Sequence, residues 1–100
     1  MNPYNHRSFY VYFLTNKSRT VIYIGITNDL KRRMTEHKEA KSLNSFTRRY
    51  NVFYLIYFEN FDHPSDAINR ETQLKKWNRE KKEALIKTKN PEWKFLNETI

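Results

Sequence analysis

Residues 23–37, YIGITNDLKRRMTEH, hold the only glycine of a hundred-residue chain, at the junction between an apolar run and a basic one. On the near side, TVIYIGIT (Thr20 to Thr27) is rich in β-branched and aromatic residues and predicts a strand. On the far side, NDLKRRMTEHKEAK predicts a helix. Thr27 or Asn28 is available as its cap, Asp29 suits the positive helix start, and Leu30 and Met34 lie one turn apart. Gly25 therefore ends a strand that feeds a basic helix. It answers either a backbone conformation that other residues resist or the close approach of a ligand to a strand end that carries no side chain.

Working outward, FYVYFLTN (Phe9 to Asn16) predicts a strand joined to the first by the polar NKSR turn, and NVFYLIYFEN (Asn51 to Asn60) predicts a third. Both faces of the hairpin runs are apolar, so the sheet is covered on both sides, or covered on one and used for binding on the other. Pro64, Ser65 and Asp66 open a helical pattern that reaches Lys89, with Asn78 as a point of division into two helices and Pro91 as its end. Trp93, Phe95 and Leu96 are expected to dock a short tail on the core. The order is ββαβαα, an α/β fold with a three-stranded, largely antiparallel sheet flanked by helices, in a single domain over residues 1–100 with its core at about 8–96.

Composition narrows the function. Nineteen Lys plus Arg against eleven Asp plus Glu give a formal charge of +8, which favours a polyanionic partner. The absence of cysteine excludes disulfides and thiolate metal sites. The longest apolar run, Val52 to Phe58, is far short of the roughly 20 residues that span a bilayer, and the N-terminus lacks the apolar core of a signal peptide, so the expectation is a soluble cytoplasmic protein.

Several polar residues then fall on the wrong faces. With Leu30 at zero on a wheel of about 100° per residue, Met34 lies near 40°, His37 near 340° and Arg33 near 300°. Arg33 at the edge of an apolar stripe either snorkels to pair with a carboxylate or awaits an anion. His37 is a satisfied hydrogen-bonding residue or a working one. On the second helical segment, with Ala67 at zero, Leu74 lies near 340° and Glu71 near 40°. Glu71 there is half of an i,i+4 pair with Lys75 or a ligand for a hard cation. Tyr10, Tyr12 and Tyr23 on the hairpin are core packing or, in an enzyme with no better base, phenols that handle protons.

These positions together resemble the GIY-YIG nuclease superfamily, closest to its small single-domain bacterial endonuclease branch and related to the amino-terminal nuclease domain of the excision-repair nuclease. Tyr10-Val11-Tyr12 stands where that family has GIY, and Tyr23-Ile24-Gly25 matches YIG. Arg33 follows ten residues after the YIG tyrosine with His37 four later, Glu71 lies in NRETQLKKW, and Asn90 in NPEW, with Asn78 a competing choice for the family asparagine. Tyr10 replaces the glycine of GIY, and Ile26 stands where many relatives carry a basic residue.

The resemblance implies hydrolysis of phosphodiester bonds in DNA, in the manner of DNA repair enzymes, with one Mg²⁺ or Mn²⁺ held by Glu71. It gives Arg33 the scissile phosphate, Tyr12 or Tyr23 the proton of the attacking water, and His37 a contact to the phosphate or to the tyrosine. A free tyrosine with pKa about 10 is only about 0.1% phenolate at pH 7, so the base needs nearby positive charge or a route for its proton through His37. Gly25, Lys31, Arg32, Arg48, Arg49 and Lys75 are candidates to contact nucleic acid, through salt-sensitive backbone interactions where they are basic. Two other readings fit the same chain: a non-catalytic nucleic-acid-binding module of this fold, and an interaction domain whose protein partner supplies specificity.

Overall fold

A computed structural model describes residues 8–39 and 45–100. Strands β1 (Phe9–Thr15), β2 (Ile22–Thr27) and β3 (Tyr54–Phe61) form one sheet in the order β2-β1-β3, antiparallel throughout. Helices α1 (Leu30–Lys38) and α2 (Ser45–Arg49) lie between β2 and β3, and α3 (Pro64–Lys75) and α4 (Arg79–Lys87) follow. The expected order ββαβαα is present, with the short α2 added; the expected continuation of α1 over Ala40 and Lys41 lies outside the described residues.

Local chemistry explains the boundaries. Asp29, rather than Thr27 or Asn28, caps α1, because its carboxylate accepts from the Arg32 amide at 3.1 Å, while the Thr27 hydroxyl accepts from the Asp29 amide at 3.1 Å. Asn78 divides the last helical pattern as its N-cap, accepting from the Lys81 amide at 2.9 Å, and this local duty accounts for it. In the hairpin, the Asn16 carboxamide takes the amides of Thr20 and Val21 at 2.8 and 3.1 Å, and Arg19 adopts the left-handed φ of 60° that closes the turn.

Both sheet faces are covered. Tyr12, Leu14 and Leu55 face α1, where Leu30 and Met34 pack on them; Val11, Phe13, Ile24 and Tyr57 face α3 and α4, where Ala67, Leu74 and Ile86 join them with Trp93. Helices α1 and α3 are thus on opposite sides of one sheet, the division that the period-2 alternation of β1 dictates.

The outer edge of β3 is closed by the C-terminal segment. The Leu96 amide donates to the Leu55 carbonyl at 2.7 Å, and Asn97 accepts from the Leu55 amide at 2.9 Å while donating to the Phe53 carbonyl at 3.0 Å. Register slips between Phe13 and Leu14, which face Tyr57 and Leu55, so Ile56 is a bulge residue. Asn90 takes the Ile56 carbonyl at 2.8 Å and also bridges to the Lys94 carbonyl and amide, each at 2.9 Å. Replacing Asn90 with alanine leaves that buried carbonyl unsatisfied. We expect Asn90→Ala to lose about 1–3 kcal/mol, read as a lower urea midpoint at unchanged m-value.

Candidate active site

The explanation of Gly25 lies on the neighbouring strand. Tyr12 pairs directly with Gly25, and a Cβ built on Gly25 would stand 2.5 Å from both Cζ and Oη of Tyr12. The Tyr12 ring therefore lies across the gap that glycine leaves and carries its phenol towards β2. Gly25 has no positive φ, so backbone conformation is not the reason for it.

Around that phenol the sequence candidates gather. Tyr12 is 1% exposed, and its hydroxyl lies 3.2 Å from Nε2 of His37, itself 5% exposed on α1. The Tyr12, Tyr23 and His37 rings form a triangle with centroids 6.0 to 6.4 Å apart. The charge of Arg33, one helical turn before His37, acts on the Tyr12 phenol, and the Glu71 charge reaches the same phenol from α3. Two helices on opposite faces thus address one oxygen.

The electrostatics set the protonation states. Burial, then Tyr23 and Glu71, push the Tyr12 phenol well above its ordinary range, and Arg33 only partly opposes them. Burial and the Arg33 charge push His37 below 6.5, against a smaller opposite pull from Glu36. Tyr12 is therefore a phenol and His37 a neutral imidazole at pH 7. The Tyr12 hydroxyl and Nε2 of neutral His37 share one hydrogen bond, whose direction follows the histidine tautomer. Nδ1 is buried without a hydrogen-bond partner, and so is Nε of Arg33, whose 3.2 Å approach to Glu36 Oε1 is an ion pair too poorly aligned for a hydrogen bond. Two buried nitrogens without a hydrogen-bond partner beside a phenol are unusual in a core, and both carry unused hydrogen-bonding capacity.

Glu71 is 17% exposed and pairs with Lys75 at 3.4 Å, so the i,i+4 pair expected from spacing exists. Lys75 is 54% exposed, however, and such a pair contributes only about 0.2–0.5 kcal/mol, too little to withhold the carboxylate from a ligand. Among the described residues no group of three or more acidic or histidine side chains gathers. The donor set is one hard carboxylate, and this fits Mg²⁺ or Mn²⁺ held mainly by water and substrate phosphate.

Other candidates stand apart. Asn90 has its carboxamide committed to main chain at the β3 edge. Lys31 and Arg32 are exposed in the first turn of α1, where Arg32 contacts Asn28 and Glu36, and Arg48 and Arg49 are exposed on α2, the latter 5.6 Å from the Tyr50 ring. Tyr10 packs edge-on against Phe58, and Ile26 joins the α3-side core. A second polar cluster, unnoticed in the sequence, lies beneath α3. Arg70 forks onto Glu59 at 2.8 and 3.0 Å, and Tyr57 donates to the same carboxylate at 2.5 Å. Burial alone would push Glu59 up, but Arg70 and Tyr57 hold it below the usual carboxylate range. The available signal was helical: Arg70 falls near 300° on the wheel that puts Ala67 at zero, the mirror position of Glu71.

The family model for the GIY-YIG catalytic domain matches residues 8–84, a span that contains every member of the Tyr12 group and stops short of Asn90. The chain belongs to the GIY-YIG family. It is 36% identical over 85 residues to a UPF0213 protein of Haloquadratum walsbyi, covering 85% of this chain and 89% of that one, and 36% identical over 83 residues to a UPF0213 protein of Syntrophus aciditrophicus, covering 83% of this chain and 93% of that one. The solution structure of a UPF0213 protein from Bacillus halodurans superposes with a TM-score of 0.55 at 29% identity, covering 86% of this chain and 89% of that one. The GIY-YIG domain is a nuclease domain, and no helix among the described residues is long and apolar enough to cross a membrane.

His37 makes this site sensitive to acid. Its folded pKa lies below its unfolded value, so the unfolded chain binds more protons in the window between them. The stability it contributes is complete above about pH 6.5 and is lost as pH falls through the folded pKa. Urea unfolding at pH 7.5 and pH 5.0 should show a smaller loss in His37→Gln than in the wild type. An equal loss in both proteins would refute the buried neutral imidazole.

Proposed function

We propose that the chain is an endonuclease that hydrolyses phosphodiester bonds in DNA with the help of one divalent ion, Mg²⁺ or Mn²⁺, on Glu71. The observation that carries this reading is the Tyr12 hydroxyl, 3.2 Å from Nε2 of His37 and within the field of Arg33 and Glu71. A core tyrosine needs one partner, whereas this one stands where a base, a phosphate-binding cation and a metal-binding carboxylate meet. When bound, the ion supplies Lewis-acid polarisation of the phosphate.

The protein's own groups divide the remaining work. Arg33 has an unsatisfied Nε donor and receives a phosphate oxygen, stabilising the negative charge that grows on it during attack. Tyr12 accepts a proton from the attacking water as its own proton passes to Nε2 of neutral His37. This relay avoids a free phenolate, which burial makes costly. His37 then carries the charge briefly beside Arg33, whose pairing with the phosphate offsets the repulsion. Tyr12 is taken as the proton acceptor because its hydroxyl lies 3.2 Å from Nε2 of the histidine. Lys31, Arg32, Arg48 and Arg49, all exposed, supply backbone contacts, with Lys75 joining them when it leaves Glu71.

Purified protein with Mg²⁺ or Mn²⁺ should cut DNA, and Glu71→Ala should abolish cutting while leaving salt-sensitive binding in place. Arg33→Lys should lose on the order of 100-fold or more in kcat, because a point charge does not reproduce the guanidinium fork. Tight binding with no cleavage by the wild type would favour the non-catalytic binding module, and cleavage that persists in Glu71→Ala would remove the metal assignment.

A further inference from the structure

Helix α3 has a thin grip on the sheet. Its two buried residues are Ala67 and Leu74, two turns apart, and one of them is a single methyl group. Such a stripe fixes where the helix sits but resists rotation about its axis weakly. Arg70 and Glu71 flank the stripe at about −60° and +40°. Arg70 leans to β3, where the fork onto Glu59 closes, and Glu71 lies on the other flank, from which its charge acts on the Tyr12 phenol.

That fork is braced on every side. The Tyr57 hydroxyl holds the same carboxylate, the third guanidinium nitrogen donates to Gln73 at 2.8 Å, and the guanidinium lies 5.3 Å from the Trp77 ring. Lys89 sits 5.3 Å from the Tyr57 ring. A bidentate contact fixes orientation as well as distance. With side chains reaching about 5–6 Å from a helix axis, a roll of about 20° carries a flanking carboxylate about 2 Å. Misplacement of about 1 Å in an active site is able to cost on the order of 100-fold in rate.

From this geometry we infer that Glu59, Arg70 and Tyr57 form a clamp that sets the roll of α3 and so holds the Glu71 carboxylate towards the Tyr12 phenol. They are positioning residues, and the inference rests on the reading of Glu71 as the working carboxylate. The full chain carrying Arg70→Met is tested for cleavage of DNA with Mg²⁺ and, without metal, for the ring resonances of Tyr12 by NMR. The folded variant should show kcat lowered at least 10-fold at a KM within about twofold of wild type. Its Tyr12 resonances should move in the direction produced by Glu71→Gln, and the exchanged pair Glu59→Arg with Arg70→Glu should return them towards wild type. If Arg70→Met does not fold, Arg70→Lys, which keeps charge and loses the fork, is measured instead. A folded variant with unmoved Tyr12 resonances overturns the clamp, since a brace that served only stability would lower the unfolding midpoint alone. If the wild type cuts no DNA, the nuclease reading falls, and the resonances still decide the clamp.

Discussion

The contact between the Tyr12 ring and Gly25 governs what the rest of the structure is able to do. A buried aromatic on a central strand ordinarily rises perpendicular to the sheet and disappears into the core. Here the residue opposite lacks a side chain, and the ring lies over it, with Cζ and Oη occupying the place of a Cβ. The phenol is thereby carried from the middle strand to the edge strand β2, whose outer side pairs with no other strand of the sheet. At that edge, the His37 imidazole of α1 meets the phenol, and the Glu71 charge on α3 acts on it from the other face.

The arrangement places ionisable groups where a core would have hydrocarbon, and neighbouring interactions offset the cost. His37 stays neutral and Tyr12 stays protonated, so neither brings a buried charge. Arg33 has Glu36 at 3.2 Å and a partly exposed side chain. On the α3 side, Glu59 and Arg70 remain ionised by forking onto each other, with Tyr57 filling a further lone pair of the carboxylate. The first group holds buried nitrogens without a hydrogen-bond partner, whereas every nitrogen and oxygen of the fork has at least one.

Much of this was legible in the chain itself, for reasons that differ by element. The three strands and the amphipathic helices follow from periodicity, which depends on near neighbours alone. Arg33, His37 and Glu71 announced themselves as polar residues inside apolar arcs. Gly25 was visible as an anomaly, but its cause was not, because the clash it avoids comes from a residue thirteen positions earlier and appears only once β1 and β2 pair in register. Asn90 and Asn78 show the opposite limit. Both sat in motif-like surroundings, and local duties, a bulge carbonyl and a helix cap, account for their hydrogen bonds. The Glu59–Arg70 fork joins residues eleven apart across two elements, and strand or helix periodicity has no means of pairing them.

Ile26 is the remaining departure from the family pattern, and its surroundings give it a physical meaning. It follows Gly25 on β2, so its side chain points to the opposite face, where it pairs across from Val11 and packs on the core beneath α3. A lysine or arginine there would have to cross that apolar surface to return its charge to the β2 edge. In this chain the position contributes packing, which supports the same helix that carries Glu71. Arg33 is left as the cation that acts on Tyr12. The Nε of Arg33 is buried without a hydrogen-bond partner and lies 3.2 Å from Glu36 Oε1, so the guanidinium beside Tyr12 is tied down by an ion pair alone.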